Sequence, residues 1–521
     1  MPTAPSSTDP ERDGWFRAGR DVGALLRFRT AGLRGRSRPV VWLSTCLVGV
    51  LTLLAGWLPA HLPGAAGTAG SAALESGDVL KVLPSAYLGV LLIAVVSSTV
   101  AGGGRELLPR DQAVAFPVSP TTDHLGALLM APLNIAWLMQ AWVVLAATAF
   151  VVGPAGLLRA QVPVLLWLVV ATALAQAVAW AVEWVRRGPR GVWAIRALVG
   201  GLVAATAALV VTGRLVGLLD RAPTVPLMRG ALSGAAGEWP PWLWTVGSLA
   251  LLGVAAVAVG AGLAHAVARR PARDELRVET SVHRPRPAPA SDLGALLRAD
   301  RAGIWRAVPL RRGMAVLALL PGLVALAGGL DWYMLSLLPG LVASGGALLF
   351  GVNSWCLDGS GALWRDSLPV APGLVFVSRV IVLTDVLLAA TALTLGLAAL
   401  RAGLPTVPQL VAVACAALVV TVQVVSASLR WSVRRPFAVD MRSARATPAP
   451  PLAMVGYSSR LAVSTTLTGM VFIATSRGEA WQVPVLVAVP FLLFSSVRLA
   501  GTARAWCTPE TRSRVVVTVA G

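Results

Sequence analysis

The sequence predicts an all-α polytopic membrane protein with about 12 transmembrane helices, arranged as two tandem parallel six-helix modules. Composition is the first observation behind this prediction. Of the 521 residues, 56% are apolar and 13% are charged, whereas soluble proteins are about 25% charged. The mean hydropathy is +0.73. Because one transmembrane helix uses about 20 apolar residues, this composition suffices for roughly a dozen spans.

The second observation is a series of apolar runs, each of about 20 residues. Six lie in the first half of the chain, near residues 40–60, 82–101, 125–151, 163–184, 196–217 and 241–267. Six follow in the second half, near 313–330, 333–355, 376–400, 408–429, 460–476 and 483–502. The chain start lacks the layout of a cleaved signal, so the first run is expected to be a retained span.

The distribution of basic residues predicts the orientation. The formal net charge is +20, and arginine concentrates in segments that twelve spans would place on one side, namely 12–38, 186–196, 269–312, 430–460 and 504–514. The positive-inside rule makes that side cytoplasmic, with both termini there. The charge thus indicates anionic lipid as a partner and not nucleic acid. Arginine almost replaces lysine, and alanine and glycine abound, which indicates a GC-rich bacterial genome and a bacterial plasma membrane.

An internal repeat is the third observation. The segment 21–27, Asp-Val-Gly-Ala-Leu-Leu-Arg, recurs as 292–298, Asp-Leu-Gly-Ala-Leu-Leu-Arg, just before the first and seventh apolar runs. A second echo joins 116–120, Phe-Pro-Val-Ser-Pro, to 368–372, Leu-Pro-Val-Ala-Pro. Repeats in the same order and orientation predict two parallel modules.

The repeat defines a domain organisation of five segments. The repeated element itself reads as a basic amphipathic helix in the membrane interface, with apolar residues on one face and arginines on another. The apolar face comprises Val22, Leu25, Leu26 and Leu33. The predicted segments are a cytoplasmic N-terminal segment with this helix (1–38), the first module (39–267), a cytoplasmic linker with the second interfacial helix (268–312), the second module (313–502) and a cytoplasmic tail (503–521).

Motifs for chemistry within this chain are missing from the sequence. Its one lysine, Lys81, lies in Val-Leu-Lys-Val-Leu and not in a phosphate-binding Gly-Lys-Ser/Thr loop. The four cysteines are widely separated, without zinc or disulfide spacing, and no hydrolase or metalloprotease motif occurs. We therefore expect that this chain is not an enzyme and holds no metal or catalytic site. A membrane transferase using Glu238 and Glu479 is a weaker alternative.

The Pro-Val loops carry a resemblance to a known family. Leu368, Pro369, Val370 and Ala371 are followed by Arg379, and this pattern resembles the cytoplasmic loop after the second span in permease subunits of type-2 ABC exporters. The stretch from Phe116 to Ser119 is similar, but Ala127 stands at the basic position. The interfacial helix and the six-span module also resemble this family, so the likeness covers most of both halves.

The resemblance implies that each loop couples the membrane helices to a cytoplasmic ABC ATPase. Two ATPase copies would bind ATP and magnesium, this chain would hold no cofactor, and the exported substrate is unknown. Simple turns before a span are the alternative for these loops. The implied coupling residues are Arg110, Asp111, Phe116, Pro117, Val118, Pro120, Trp364, Arg365, Asp366, Leu368, Pro369, Val370, Pro372 and Arg379.

Polar residues within the apolar runs are candidates for a translocation pathway, because polar groups in a membrane are costly and often functional. These are Asn134, Gln140, Asn353 and Asp385. Hydrogen bonding between helices, or an interfacial position, is the alternative for Asp385. A twelve-span proton-coupled carrier is the main rival function, although the loop 104–111 lacks the Gly-x-x-x-Asp-Arg pattern of such carriers.

Overall fold

The computed structural model describes residues 10–31, 37–67, 76–100, 118–133, 135–219, 221–270, 287, 289–349, 351–438, 449 and 451–521. Every regular element in these ranges is a helix, as the apolar runs predict. The chain divides into two compact units, Met1–Ser281 and Val282–Gly521.

The helices of the first unit vary widely in length. In chain order they are α1 (Pro10–Ala31), α2 (Ser37–Trp57), α3 (Ser76–Val100), α4 (Pro120–Met130), α5 (Ile135–Val152), α6 (Leu157–Arg186), α7 (Gly191–Val211), α8 (Arg214–Leu219), α9 (Val225–Ala236) and α10 (Trp239–Ala268). Short 3₁₀ turns follow α2 and α4, at Leu58–His61, Ala65–Gly67 and Ala131–Leu133.

The second unit begins with the second copy of the repeated element. Its helices are α11 (Asp292–Arg306), α12 (Val308–Gly328), α13 (Trp332–Leu335), α14 (Leu338–Leu349), α15 (Gly361–Asp366), α16 (Pro372–Ala399), α17 (Val407–Arg434), α18 (Pro451–Ser476), α19 (Gln482–Cys507) and α20 (Pro509–Ala520). A 3₁₀ turn spans Gly351–Asn353.

Six of the described helices are long and apolar enough to cross a membrane. They are α3, α6, α10, α16, α17 and α19. The pair α11 and α12 would add a seventh if a helix bent by 81° at its break counts as one span. These helices indicate a membrane-embedded protein.

The described residues therefore give six or seven candidate spans where the sequence predicts twelve. Breaks in the helical backbone divide some of the predicted runs into pieces shorter than the roughly 20 residues of a span. The run at 125–151 is broken by the turn Ala131–Leu133. The run at 196–217 is divided at Gly213, with φ +68°, although α7, which ends at Val211, is itself 21 residues long. The run at 333–355 is divided into α13, α14 and a 3₁₀ turn.

The core of the first unit packs α6 against α3 and α5. Tyr87 of α3 lies at its centre, where its hydroxyl bonds Thr148 Oγ1 at 2.7 Å and its carbonyl accepts from Trp167 Nε1 at 3.0 Å. These hydrogen bonds leave the buried polar groups satisfied within apolar surroundings. The long helix α6 is thereby fixed to two neighbours.

The first repeated element packs on protein. In α1, Val22 is buried and forms a small apolar cluster with Leu25, Leu26 and two residues of α4, Leu125 and Met130. The apolar face that the sequence assigns to the membrane interface is thus covered, at these positions, by α4. Leu33 lies outside the described residues.

His124 is fully buried where α4 meets α6 and α10. Its Nδ1 accepts a hydrogen bond from Trp180 Nε1 at 3.1 Å. A methyl group added at Gly260 would approach His124 Cε1 to 2.4 Å, so only glycine fits there. Burial lowers the pKa of His124 from 6.5 to about 4, because the imidazolium ion would lose its hydration.

This pKa predicts a loss of stability in acid. The unfolded chain binds a proton near pH 6.5, whereas the folded protein resists it until about pH 4. Above pH 6.5 His124 therefore does not lower the free energy of unfolding. As the pH decreases below 6.5 that free energy falls, by about 3 kcal/mol near pH 4. Unfolding of the wild type and His124→Phe, measured from pH 7.5 to 4.5, checks this. Phenylalanine stands at the corresponding repeat position, Phe376. Superimposable pH profiles for the two proteins would refute the prediction.

Candidate functional site

The predicted coupling loop of the second half is a compact structure between α14 and α16. After the turn Gly351–Asn353 the chain continues in turns to Gly359, whose φ of +47° suits glycine. The short helix α15 follows, and Val370 N donates to Leu368 O at 2.7 Å in the turn beyond it. Pro372 then occupies the first turn of α16, where a missing N–H costs nothing.

Four charged side chains form a closed ring at the base of this loop. Arg365 Nη1 contacts Asp300 Oδ1 at 2.6 Å and Asp358 Oδ1 at 2.9 Å. Arg379 Nη2 contacts Asp358 Oδ2 at 2.8 Å and Asp300 Oδ1 at 3.4 Å. Ser378 Oγ donates to Asp300 Oδ2 at 2.7 Å. Two positive and two negative groups thus alternate, and the ring carries no net charge.

The ring joins three separate parts of the second unit. Asp300 comes from α11, Asp358 and Arg365 come from the loop, and Arg379 comes from the candidate span α16. The Arg379 side chain is 1% exposed and the Asp300 side chain 2%. Charges this deeply buried are tolerated only when they are paired and hydrogen-bonded. The arrangement therefore fixes the loop to α11 and α16 at once.

Two stacked tryptophans cover one side of the ring. The rings of Trp355 and Trp506 lie 4.0 Å apart and are tilted by only 5°. The Arg379 guanidinium sits 5.1 Å from the Trp355 ring centre, which adds a cation–π attraction. Trp506 Nε1 donates to Pro372 O at 3.1 Å. This contact connects α19 to the start of α16.

The face of α15 that points away from the charge ring is apolar and exposed. Trp364 is 70% exposed and Leu363 is 53% exposed. Arg365, the next residue, points into the ring, so successive residues of α15 serve two different surfaces. A rigid short helix with an exposed tryptophan is the kind of feature that anchors a protein interface.

The C-terminal helix α20 braces the end of α15. Arg512 Nε contacts Asp366 Oδ1 at 2.9 Å, and the Arg514 guanidinium donates to Val433 O of α17 at 3.0 Å. Val515, Val516 and Val519 of α20 are buried in the core of the second unit. The segment predicted as a cytoplasmic tail thus packs against the loop.

Cys356 lies beside the ring but does not act as a nucleophile in this setting. Its side chain is buried, and burial raises the pKa of its thiol to about 12, against a smaller opposing effect of Arg379. A thiol needs to ionise near neutral pH to react. Cys356 therefore belongs to the packing of the loop.

The predicted residues of the second half separate into different environments. Arg365 and Arg379 meet in the ring, Asp366 meets Arg512, and Trp364 is exposed. Leu368 and Val370 are half-buried and Pro369 is exposed, so the apolar neighbour that accompanies Trp364 at the surface is Leu363. Asn353 is buried at the start of the loop, where its Nδ2 donates to Phe437 O at 2.8 Å.

Asp385 has a partner that the sequence does not reveal. Arg301 Nη2 of α11 contacts Asp385 Oδ2 at 2.5 Å, and both side chains are about half exposed. Asp300 and Arg301 are adjacent in α11 and contact α16 at two points along its length, Arg379 and Asp385 respectively.

The first-half counterparts are only partly described. Arg110, Asp111, Phe116, Pro117 and Asn134 lie outside the described residues. Val118 and Pro120 are half-buried, and Ser119 caps α4 by accepting from Thr122 N at 3.1 Å. Gln140 is half-buried on α5. At the position matching Arg379, Ala127 is buried.

Five residues of this site are not among those predicted from the sequence, namely Asp300, Asp358, Trp355, Trp506 and Arg512. A signal for Asp300 existed, because Leu296, Asp300 and Ile304 are spaced four residues apart and form the buried stripe of α11. A carboxylate in the apolar stripe of an amphipathic helix requires a buried partner. No comparable pattern marks the other four.

Within the described ranges, no three His, Cys, Asp or Glu side chains form a group that could hold a metal ion. Comparisons with protein-family models, curated proteins and solved structures find no match to this chain.

Proposed function

We propose that this chain is the transmembrane permease subunit of an ATP-driven ABC exporter, in which partner ATPases dock on cytoplasmic coupling loops. One observation carries the proposal: α15 exposes Leu363 and Trp364 on one side, and on its other side Arg365 pairs with Asp300 of α11 and with Asp358. Both carboxylates also contact Arg379 of α16. Motion imposed on Trp364 would then reach a spanning helix through short ionic contacts. A simple turn before a span needs neither the ring nor the exposed tryptophan.

The proposed layout is two parallel modules of six crossings each, in a bacterial plasma membrane with both termini cytoplasmic. Shorter apolar helices, such as Trp137–Val152, would supply the crossings beyond those made by the six long helices. Each module supplies one coupling loop, so one chain recruits two ATPase copies. Those copies would bind ATP and magnesium, and this chain would contribute no catalytic group.

A proton-coupled secondary carrier is the second candidate, and Asp385 is the observation that favours it. This carboxylate is half exposed on the candidate span α16 and pairs with Arg301. Proton carriers use such membrane carboxylates. In that case Asp385 would have to release Arg301 on protonation.

Reconstitution with an ATPase distinguishes the two candidates. The chain should be expressed in turn with each ABC ATPase subunit encoded in the same genome, purified in nanodiscs, and tested for complex composition and ATP hydrolysis. We expect two ATPase copies for each chain, no hydrolysis by the chain alone, and an intact complex with Asp385→Asn. Hydrolysis by the isolated chain, or failure to bind any of these ATPases, would contradict the exporter proposal. Failure to bind together with proton-driven transport that Asp385→Asn abolishes would favour the carrier.

A further inference from the structure

Three arginines lie close together where α17 packs against α19. Arg430 and Arg434 are one turn apart in α17, and Arg498 belongs to α19. Both helices are candidate spans. Arg430 and Arg434 are near enough to Arg498 for their positive charges to repel it. We call these three residues the arginine cluster.

The arginine cluster has no carboxylate partner within the described ranges. In the second unit the arginines that pair with carboxylates there are Arg301, Arg365, Arg379 and Arg512, and none of them belongs to the cluster. Arg498 is half-buried, so part of its hydration is lost while like charges surround it. Buried charges are tolerated when an opposite charge accompanies them. A bound anion would supply that charge.

Trp431, which follows Arg430 in the chain, carries two further arginines. The Arg435 guanidinium lies 4.8 Å from the centre of the indole ring, and the Arg460 guanidinium of α18 lies 5.9 Å from it. Both arginines are exposed, and cation–π attraction holds them against the ring. The arginine cluster therefore continues into a wider positive surface.

The position of these arginines along their helices matches the depth of lipid phosphate groups. Arg498 follows the start of α19, Gln482, by 16 residues, and Arg460 precedes the end of α18, Ser476, by 16 residues. Each separation is about 24 Å along the helix. The turn between α18 and α19 contains charged residues such as Arg477, as expected at a membrane boundary. Because the hydrocarbon layer is about 30 Å thick, Arg460 and Arg498 come close to its other boundary.

The chemistry of the arginine cluster suits the phosphate group of a lipid. Guanidinium groups bind phosphate oxygens through charge-assisted hydrogen bonds. Arg498 Nε is buried, so the terminal nitrogens of this side chain are the ones that reach a ligand. Phe494 lies one turn before Arg498 on the same face of α19 and is 69% exposed, where it can contact an acyl chain. A headgroup with an ammonium ion would be repelled by the arginines, which favours a lipid with net negative charge.

We propose that the arginine cluster is a binding site for the phosphate group of an anionic phospholipid. The phosphate would contact Arg430, Arg434 and Arg498, and an acyl chain would lie along Phe494. Its charge would offset the repulsion between α17 and α19, so the bound lipid would stabilise the packing of these two helices. The site depends on the membrane location of the helices and not on the transport mechanism.

Native mass spectrometry of the full chain in dodecyl maltoside micelles tests the proposal. The probes are dioleoyl phosphatidylglycerol and dioleoyl phosphatidylcholine, which share a phosphate and acyl chains but differ in net charge. We expect saturable binding of phosphatidylglycerol, at least about 10-fold tighter than that of phosphatidylcholine. Arg498→Gln should weaken phosphatidylglycerol binding by about 10-fold, because a charge-assisted hydrogen bond is lost. Arg498→Lys should weaken it less, because the charge remains.

Arg504→Gln is the matched control for a general effect of charge. Arg504 is an exposed arginine of the same helix, so this change lowers the net charge equally, and it should leave phosphatidylglycerol binding unchanged. Equal losses for Arg504→Gln and Arg498→Gln, or equal affinities for the two lipids, would overturn the proposal. Inorganic phosphate should displace the lipid only weakly. Displacement at concentrations equal to that of the lipid would show a site for a free anion and would also overturn it.

Thermal unfolding distinguishes a lipid site from a purely structural arginine. Without added lipid, Arg498→Gln should be at least as stable as the wild type, because the repulsion by Arg430 and Arg434 is removed. Phosphatidylglycerol should raise the unfolding midpoint of the wild type more than that of the variant. A variant that is less stable without lipid, and that gains as much from phosphatidylglycerol as the wild type, would contradict the proposal.

Discussion

Arg379→Met is expected to destabilise the protein by about 3–5 kcal/mol, the cost of removing one partner from a buried ion pair. Arg379 is the largest fully buried side chain in the described structure. Its loss leaves Asp358 and Asp300 sharing Arg365 as their one remaining cation in the ring. The ring would then carry a net negative charge within an apolar core. Unfolding by SDS titration in mixed micelles, followed by tryptophan fluorescence, measures the change.

Two further variants identify the cause of this loss. Arg379→Met with Asp358→Asn restores the charge balance and should regain more than half of the lost stability, because the uncompensated carboxylate is removed. Arg504→Met changes an exposed arginine of α19 and should alter stability by less than about 0.5 kcal/mol. A double variant no more stable than Arg379→Met would show that packing, and not charge, accounts for the effect.

Under the exporter proposal, replacing the exposed residues of α15 is expected to weaken binding of the ATPase while leaving the fold intact. Trp364→Ala should cost at least about 2 kcal/mol of binding free energy, or about 30-fold in affinity, as for an aromatic interface anchor. Leu363→Ala should cost less, because its contact area is smaller. Neither residue belongs to the ring, so the unfolding midpoint should stay unchanged. Titration of the ATPase onto the chain in nanodiscs gives the affinities.

Leu400→Ala is the matched control for these variants. Leu400 is 75% exposed and follows the far end of α16, so it lies about 40 Å from Pro372 along that helix at 1.5 Å per residue. Its replacement should not affect ATPase binding. Unchanged affinity of Trp364→Ala would remove the support that α15 gives to the exporter proposal. If Trp364→Ala and Leu400→Ala lowered the ATPase affinity equally, the effect would not be specific to α15 and that support would also be lost.

The all-α membrane class could be predicted from composition and apolar runs, because every long helix in a lipid environment must be apolar and must satisfy its own backbone. The start of a helix at Pro120 and at Pro372 could also be predicted, since proline cannot continue a preceding helix. The number of spans could not be predicted in this way. Hydropathy does not distinguish one helix from two short ones, and breaks such as Gly213 depend on local backbone geometry.

In the candidate site, too, local features could be predicted from the sequence and long-range contacts could not. The sequence by itself determined that Trp364, Arg365 and Arg379 lie close together in the chain around a Pro-Val turn, because these are local features. Only the tertiary structure decided that Asp300 closes the charge ring, since it lies 65 residues before Arg365 in the chain. Trp506 and Arg512 reach the loop over even longer separations. Contacts of this kind arise from the packing of α11, α19 and α20 on α16 and α15, and periodicity within one segment carries no information about them.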